Sequence, residues 1–277
     1  MDILETLNNL QTATEKNIEK KQDGKKTEYY FDKLKMYFGD DYTFQNGITV
    51  SIPKIGEIVK VGESNFYQAL SPFLKNPTSV RLLLYNVFHK DWNKTEEIYV
   101  FYILLQLLQN KEPLKLVFKD INFEDFELVK TTRIIEGEEC ENLAVYSPSQ
   151  NIFIYENEYI EIAEYIRAML NIHPKVEKAK GKTTKLWMLE EDKLKAQQQI
   201  DKDDNFSLFS YISSCVNHPG FKYNLEEVRQ MNICQFMDSV QRIQKYENGI
   251  AALHGAFGGF VSAKDIPQEV INFMSEI

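Results

Sequence analysis

Four residues in the C-terminal third of the chain could supply ligands to a zinc ion. They are Cys215, His218, Cys234 and His254, and cysteine and histidine are the ligand types that zinc prefers. Structural zinc sites bring their ligands as closely spaced pairs, and only Cys215 and His218 have that spacing. We therefore expect buried thiols and ordinary polar histidines. A metal site and a Cys/His nucleophile pair are the alternatives, although no spacing specifies an orienting partner for such a nucleophile.

Two glycine-containing stretches bear on phosphate binding. Gly181-Lys182-Thr183 is similar to the end of a phosphate-binding loop, but that loop needs another glycine where this chain has Val176, and no strand leads into it. The stretch GAFGGF at 255–260 follows a helical pattern rather than a strand and does not match the dinucleotide fingerprint. The sequence therefore predicts no nucleotide or other cofactor.

Clusters of acidic residues at 136–141 and 190–192 could be offered as catalytic carboxylates. Charge runs of this kind usually form solvated faces, and no spacing places two carboxylates across a cleft. The chain also has no HExxH motif and no nucleophile elbow. We expect a protein that is not an enzyme and has no catalytic residue, no bound metal and no small-molecule substrate.

The composition indicates a protein partner rather than nucleic acid. The 277 residues have a net charge of -9, and affinity for a phosphate backbone comes mainly from Lys and Arg. The longest apolar run, at 98–108, is too short to span a bilayer, so no membrane association is expected. Three cysteines and the lack of a secretory signal are typical of a reducing cytoplasm.

The elements that would position any site give an α+β chain with a mainly α C-terminal part. We predict a polar amphipathic segment at 1–26, an α+β domain at 27–173, a lysine-rich linker at 174–185 and a helical domain at 186–277. The lysine content of the linker disfavours burial, so limited proteolysis should cut within 175–185.

Local signals predict individual elements. Asn46-Gly47 suits a type I′ turn in a hairpin over 42–52, and two short helices should be separated around Gly62. Asn232 and Gln235 have the spacing of a capping box. A longer helix is expected at 98–108, a helix is expected to begin at Asn76-Pro77, and β-like stretches lie at 114–118, 126–135, 142–146 and 151–155.

Aromatic residues near the first hairpin could serve either the core or an interface. They are Tyr29, Tyr30, Tyr37, Phe38 and Phe44. Core packing and partner contact both use tyrosine and phenylalanine, and the sequence leaves the two alternatives open.

The candidate partner-binding segment lies at 251–261. A helix from Ile233 has an apolar face that should pack on the helices containing Phe206, Phe209 and Ile212. The residues beyond it are too rich in glycine for a good core helix, and they include four apolar side chains. We predict that these bind a partner, the alternative being that they fold back over the helical core. They are Leu253, Phe257, Phe260 and Val261.

Two stretches together resemble a known group of proteins. They are FGDDYTFQNGITVSIPKIGEIVKVGESNFYQALS at 38–71 and HPGFKYNLEEVRQMNICQFMDSVQRIQKYENG at 218–249. This pair resembles tail-region proteins of long-tailed bacteriophages and prophages of low-GC Gram-positive bacteria, some of which are tail-assembly chaperone-like. The resemblance covers about a quarter of the chain, and the closing AALHGAFGGFVSAKDI departs from it.

The resemblance implies a gene context and a class of partner, and it transfers no catalytic residue. A tail-assembly chaperone coats the tape-measure protein and brings tail-tube subunits to it, often with a frameshifted longer form. We therefore expect a cytoplasmic, chaperone-like tail-assembly factor that binds tape-measure or tail-tube protein. A structural component of the virion tail is the first alternative, and an enzyme of unrecognised type is the second.

Overall fold

A computed structural model describes residues 29–135, 138–200, 207–260 and 262–275. The helices are α1 (Lys33–Phe38), α2 (Ile55–Val61), α3 (Glu63–Leu74), α4 (Arg81–Asn86), α5 (Glu97–Leu107), α6 (Glu156–Leu170), α7 (Lys182–Ile200), α8 (Leu208–Val216), α9 (Leu225–Gln230), α10 (Ile233–Phe257) and α11 (Gln268–Ile271). The strands are β1 (Tyr42–Thr43), β2 (Thr49–Val50), β3 (Glu127–Ile135), β4 (Glu138–Ser147) and β5 (Ile152–Tyr155). The predicted α+β class is confirmed, and the segment 1–26 lies outside the described residues.

The first hairpin is confirmed, but its turn is not type I′. β1 and β2 pair antiparallel, with Tyr42 opposite Val50. A type I′ turn needs positive φ at both central residues, and only Gly47 has it, at +83°. The Asn46 side chain instead accepts a hydrogen bond from Ile48 N at 3.1 Å, which holds the loop in a longer form.

The N-terminal core is built around α5. This helix is buried over most of its length, since every residue from Ile98 to Leu105 is buried, and α3 and α6 pack against it. α2 and α3 are separated at Gly62, whose φ of +89° suits glycine, as the sequence predicts. α4 begins only at Arg81, because hydrogen bonds between Asn76 and Ser79 form a separate turn before it.

The stretch 114–118 is not a strand. Residues Glu112–Leu116 form a 3-10 helix, so the prediction of a β-like segment is wrong. Leu114, Val117 and Phe118 are all buried. Their spacing of three and four residues is helical, and Pro113 in the first turn favours helix initiation.

A three-stranded antiparallel sheet follows in the order β3-β4-β5, and it confirms the strands expected at 126–155. β3 and β4 form a long hairpin, and β5 pairs only with the last four residues of β4. The Asp125 carboxylate fixes the β4–β5 turn by accepting hydrogen bonds from Ser147 Oγ at 2.7 Å and Ser149 N at 2.9 Å. The sheet packs on α5 through the base of the hairpin.

The lysine-rich stretch runs along the surface in an extended form that we call the strap, residues 174–180. Its backbone carbonyls accept hydrogen bonds from side chains near α4 and α5, and its backbone N–H groups donate to side chains there. Ala179 within the strap is buried. The partners are Asn76 to Lys175 O, Thr78 to Glu177 N and O, Trp92 to Glu177 O, and Asn93 to Ala179 N and O. The domain boundary assigned to this stretch stays a prediction.

The C-terminal helices share one apolar core with the N-terminal part. α9 packs on α2, and α10 packs on α1, α6 and α8. The buried face of α10 includes Ile233, Phe236 and Val240, as expected, but α6 and α1 cover it in addition to α8. The predicted packing on the helix that contains Phe209 and Ile212 is confirmed for α8, where Ile212 packs against the core and Phe209 is 76% exposed, whereas Phe206 lies outside the described residues.

The aromatic cluster divides between core and surface. Phe44 is 5% exposed and belongs to the core, whereas Tyr30 and Phe38 are 95% and 67% exposed. Tyr29 and Tyr37 are half-buried. Core packing is therefore confirmed for Phe44, and partner contact stays a prediction for the exposed rings.

Candidate protein-binding surface

The two stretches that resemble phage tail-region proteins meet in space. Lys54 and Asn232 form an isolated antiparallel bridge, flanked by hydrogen bonds from Ile55 N to Met231 O at 2.9 Å and from Ile233 N to Pro53 O at 3.0 Å. Gly56 allows this approach, because a Cβ there would lie 2.9 Å from Arg229 O. The segment before α2 therefore holds the start of α10.

Asn232 joins this junction to the cap of α10. Its Oδ1 accepts a hydrogen bond from Gln235 N at 2.9 Å, and its Nδ2 donates to Tyr37 O at 2.9 Å. Gln235 Oε1 accepts from Asn232 N, which completes the predicted capping box. The direction in which α10 leaves the core is therefore fixed at its first residue.

The second half of α10 packs against the chain that returns after it. Gly249 is buried, and a Cβ there would lie 2.7 Å from the Phe273 ring and 2.8 Å from Val270 O, so only glycine permits this contact. At the other end, Arg242 Nη1 donates to Ser275 O at 2.9 Å and Lys245 Nζ to the same oxygen at 3.1 Å. α10 and the returning segment 262–275 form a helical hairpin.

α10 continues to Phe257, where it stops in a Schellman motif. Phe260 N donates to Gly255 O at 2.9 Å and Gly259 N to Ala256 O at 3.1 Å, while Gly259 has a φ of +75°. The apolar contact that usually accompanies this motif would join Phe260 to residue 255. That residue is glycine, so the Phe260 ring is left without this contact.

The end of the hairpin is an exposed aromatic tip, which we define as Phe257 and Phe260. Their side chains are 84% and 88% exposed, so neither folds back over the core. Phe257 lies eight residues beyond Gly249, about 12 Å further along the helix axis. Leu253 is half-buried, and Val261, the fourth predicted residue, lies outside the described residues. Burying an exposed aromatic side chain at an interface is strongly favourable, so this geometry is suited to anchoring a partner.

Sequence reasoning missed apolar exposure on the returning segment. Met274 is 90% exposed and Tyr246 on α10 is 47% exposed, and the Tyr246 ring stacks at a tilt on Phe273 with centroids 5.1 Å apart. No pattern marks these residues, because their exposure depends on how residues 262–275 return along α10.

The four candidate zinc ligands do not assemble. Among the residues that the structure describes, no three His, Cys, Asp or Glu side chains are placed to hold a metal ion. Cys234 Sγ donates to Met169 O, and burial, followed by the Asp238 charge, raises the pKa of this thiol to about 12. A thiol with so high a pKa is a poor nucleophile at neutral pH. His218 is bonded to Glu247 and to Gly220 N.

The residues considered for phosphate binding at 181–183 and for catalysis at 190–192 lie in α7 or next to it. Lys182 and Thr183 lie in the first turn of α7 and follow the strap, not a strand of a sheet. Asp192 forms an ion pair with the buried Arg81 at 2.5 Å, while Glu190 and Glu191 pair with lysines of their own helix. The cluster at 136–141 is only partly described. No helix in the described ranges has the length and apolar character needed to cross a membrane.

Comparison with known families places the C-terminal part of the chain. Residues 196–277 match the family model described as YomV second domain. YomV proteins are encoded by phages and prophages, so this is a phage-related protein. The match spans the whole helical hairpin and its tip, including the closing stretch that the resemblance did not cover. No curated protein and no solved structure matches the chain.

Proposed function

We propose that this protein is a non-enzymatic, chaperone-like factor of phage tail assembly that binds tape-measure or tail-tube protein in the host cytoplasm. The observation that carries the proposal is the aromatic tip, where Phe257 and Phe260 are almost fully exposed at the end of a hairpin within the phage-related region. The resemblance of 38–71 and 218–249 to tail-region proteins supplies the partner class.

The fold supports a role in which one end of the hairpin is anchored and the other is free to bind. The Asn232 junction and the core positions of α10 hold the helix, while the tip needs nothing from the core. Two exposed phenylalanines are costly to leave in water, and a partner that covers them gains their transfer free energy.

The direct test is a pull-down with the full chain, tagged and co-expressed with the tail-tube and tape-measure proteins of its phage. We expect the wild type to retain one of them and the double variant Phe257→Ala/Phe260→Ala to lose it, with thermal stability unchanged. A matched control is Phe209→Ala, which removes a phenylalanine of α8 that is 76% exposed. Retention by the tip variant equal to that of the wild type would reject the site.

The second candidate function is a structural component of the tail, favoured by the same phage association. Mass spectrometry of purified particles separates the two functions. An assembly factor is absent from the particles or has a far lower copy number than the tail-tube protein, whereas a structural component is present at a fixed copy number.

The order of genes offers a further test, because the gene of an assembly factor should lie between that of a major tail protein and a very long tape-measure reading frame.

A further inference from the structure

The strap and the first turns of α7 carry concentrated positive charge on an otherwise acidic chain. Lys175, Lys178, Lys180 and Lys182 are exposed, and within the described ranges none of these four side chains forms an ion pair. The whole chain has a net charge of -9. Four unneutralised lysines in eight residues therefore make a local field opposite in sign to that of the rest of the protein.

These lysines are held on a fixed backbone. Along the strap, Glu177 and Ala179 face inward, where Arg81 Nη1 pairs with Glu177 at 2.6 Å and Asn93 bonds both backbone groups of Ala179. Lys178 and Lys180 face outward by the alternation of an extended chain, about 6.6 Å apart. A ligand that pairs with them does not have to order the backbone, which lowers the entropic cost of binding.

Exposed apolar side chains adjoin the lysines. On α7, Leu186 lies one turn beyond Lys182, and Leu186, Trp187 and Leu194 are 47%, 66% and 51% exposed. Trp187 and Leu194 are seven residues apart and so share a face of the helix. α7 is docked through the buried side chain of Leu189 and the ion pair of Asp192 with Arg81, so the exposed side chains of Leu186, Trp187 and Leu194 are not needed to dock it.

We propose that the strap and α7 form a second docking surface, which binds an acidic amphipathic helix of a partner protein. Carboxylates of that helix pair with Lys178, Lys180 and Lys182, and its apolar face packs on Trp187 and its leucine neighbours. The leucines favour such a helix over nucleic acid, since bases stack on aromatic rings and gain little from aliphatic side chains. This surface is separate from the aromatic tip and does not depend on the function proposed for it.

The test measures binding of a labelled synthetic helix of Glu, Ala and Leu, with leucine at every third or fourth position, to the full chain by fluorescence anisotropy. We expect Lys178→Glu/Lys180→Glu and Trp187→Ala each to weaken binding roughly tenfold or more. The control Lys60→Glu/Lys222→Glu makes the same charge change at two exposed lysines of α2 and the loop before α9, and should change affinity less than about twofold.

Two further probes decide the chemistry of the ligand. A scrambled peptide of the same composition should bind at least roughly tenfold more weakly, because it has no continuous apolar face. Equal binding of the scrambled peptide, or no effect of Trp187→Ala, would leave only charge attraction and overturn the proposal. Tighter binding of a single-stranded DNA oligomer, lost in Lys178→Glu/Lys180→Glu, would make this a nucleic-acid site. Failure of the wild type to bind the amphipathic peptide would also overturn it.

Discussion

Replacing Asn232 by alanine should destabilise the protein by about 2–3 kcal/mol. The side chain is buried and makes two hydrogen bonds of 2.9 Å, one that caps α10 and one to Tyr37 O. Loss of an asparagine cap costs about 1 kcal/mol. Loss of the second bond leaves a carbonyl without its donor beside the junction, which costs about 1–2 kcal/mol more.

Asn224 offers a matched control for this prediction. It caps α9 in the same way, with Oδ1 accepting from Glu226 N and Glu227 N, but it is exposed, and its side chain makes no hydrogen bond to the described residues of the N-terminal part. Asn224→Ala should therefore cost only about 1 kcal/mol. Urea unfolding followed by circular dichroism, with equal m values, measures both. Equal losses in the two variants would refute the view that Asn232 ties α10 to the N-terminal part.

Three further substitutions test other contacts. In Gly249→Ala the new Cβ would collide with Phe273, so the amides of residues 266–275 should exchange their hydrogens faster than in the wild type. Helix propensity alone predicts that this substitution raises the stability, and such a gain would count against the hairpin. Hydrogen bonds from the β4–β5 turn, first from Ser149 and then from Ser147, lower the pKa of Asp125 to about 2. The stabilisation that the ionised Asp125 gives the folded protein is therefore complete above about pH 4 and is lost as the pH falls towards about 2. Asp125→Asn should weaken the dependence of the unfolding free energy on pH in that window, and an unchanged dependence would contradict this. Arg81→Leu removes the ion pairs with Glu177 of the strap and Asp192 of α7. Proteolysis within 175–185 should then be faster than in the wild type, and an unchanged rate would show that these ion pairs do not hold the strap.

Signals that act within a few residues could be predicted from the sequence. The break at Gly62 follows from its positive φ, and the Asn232 cap follows from the spacing to Gln235. The β4–β5 hairpin follows from two β-rich runs around a turn cluster. In each case the residues that decide the structure are neighbours in the chain.

The predictions that were wrong or incomplete concern local structure that depends on contacts between residues far apart in the sequence. The 3-10 helix at Glu112–Leu116 is set by three apolar residues that reach the core together, which outweighs their β propensity. The strap follows the surface because Asn76 and Asn93, more than eighty residues earlier, bond its backbone. Lysine content predicts the exposure of its side chains and carries no information about those partners.

The sequence could indicate which residues form the candidate site, but it could not predict the exposure of their side chains or the direction of the hairpin that carries them. Glycines near apolar residues marked 251–261, yet exposure of Phe260 depends on the helix ending in a Schellman motif with glycine at residue 255. The direction of the hairpin depends on Asn232 and Tyr37, which are 195 residues apart.

The most direct test of the proposed function is electron microscopy of phage particles made without this gene and complemented with the protein or its tip variant. The proposal predicts filled heads without tails in the deletion, normal tails with the wild type, and no rescue by Phe257→Ala/Phe260→Ala. Normal tails in the absence of the gene would contradict the assembly function, and full rescue by the variant would contradict the role of the aromatic tip.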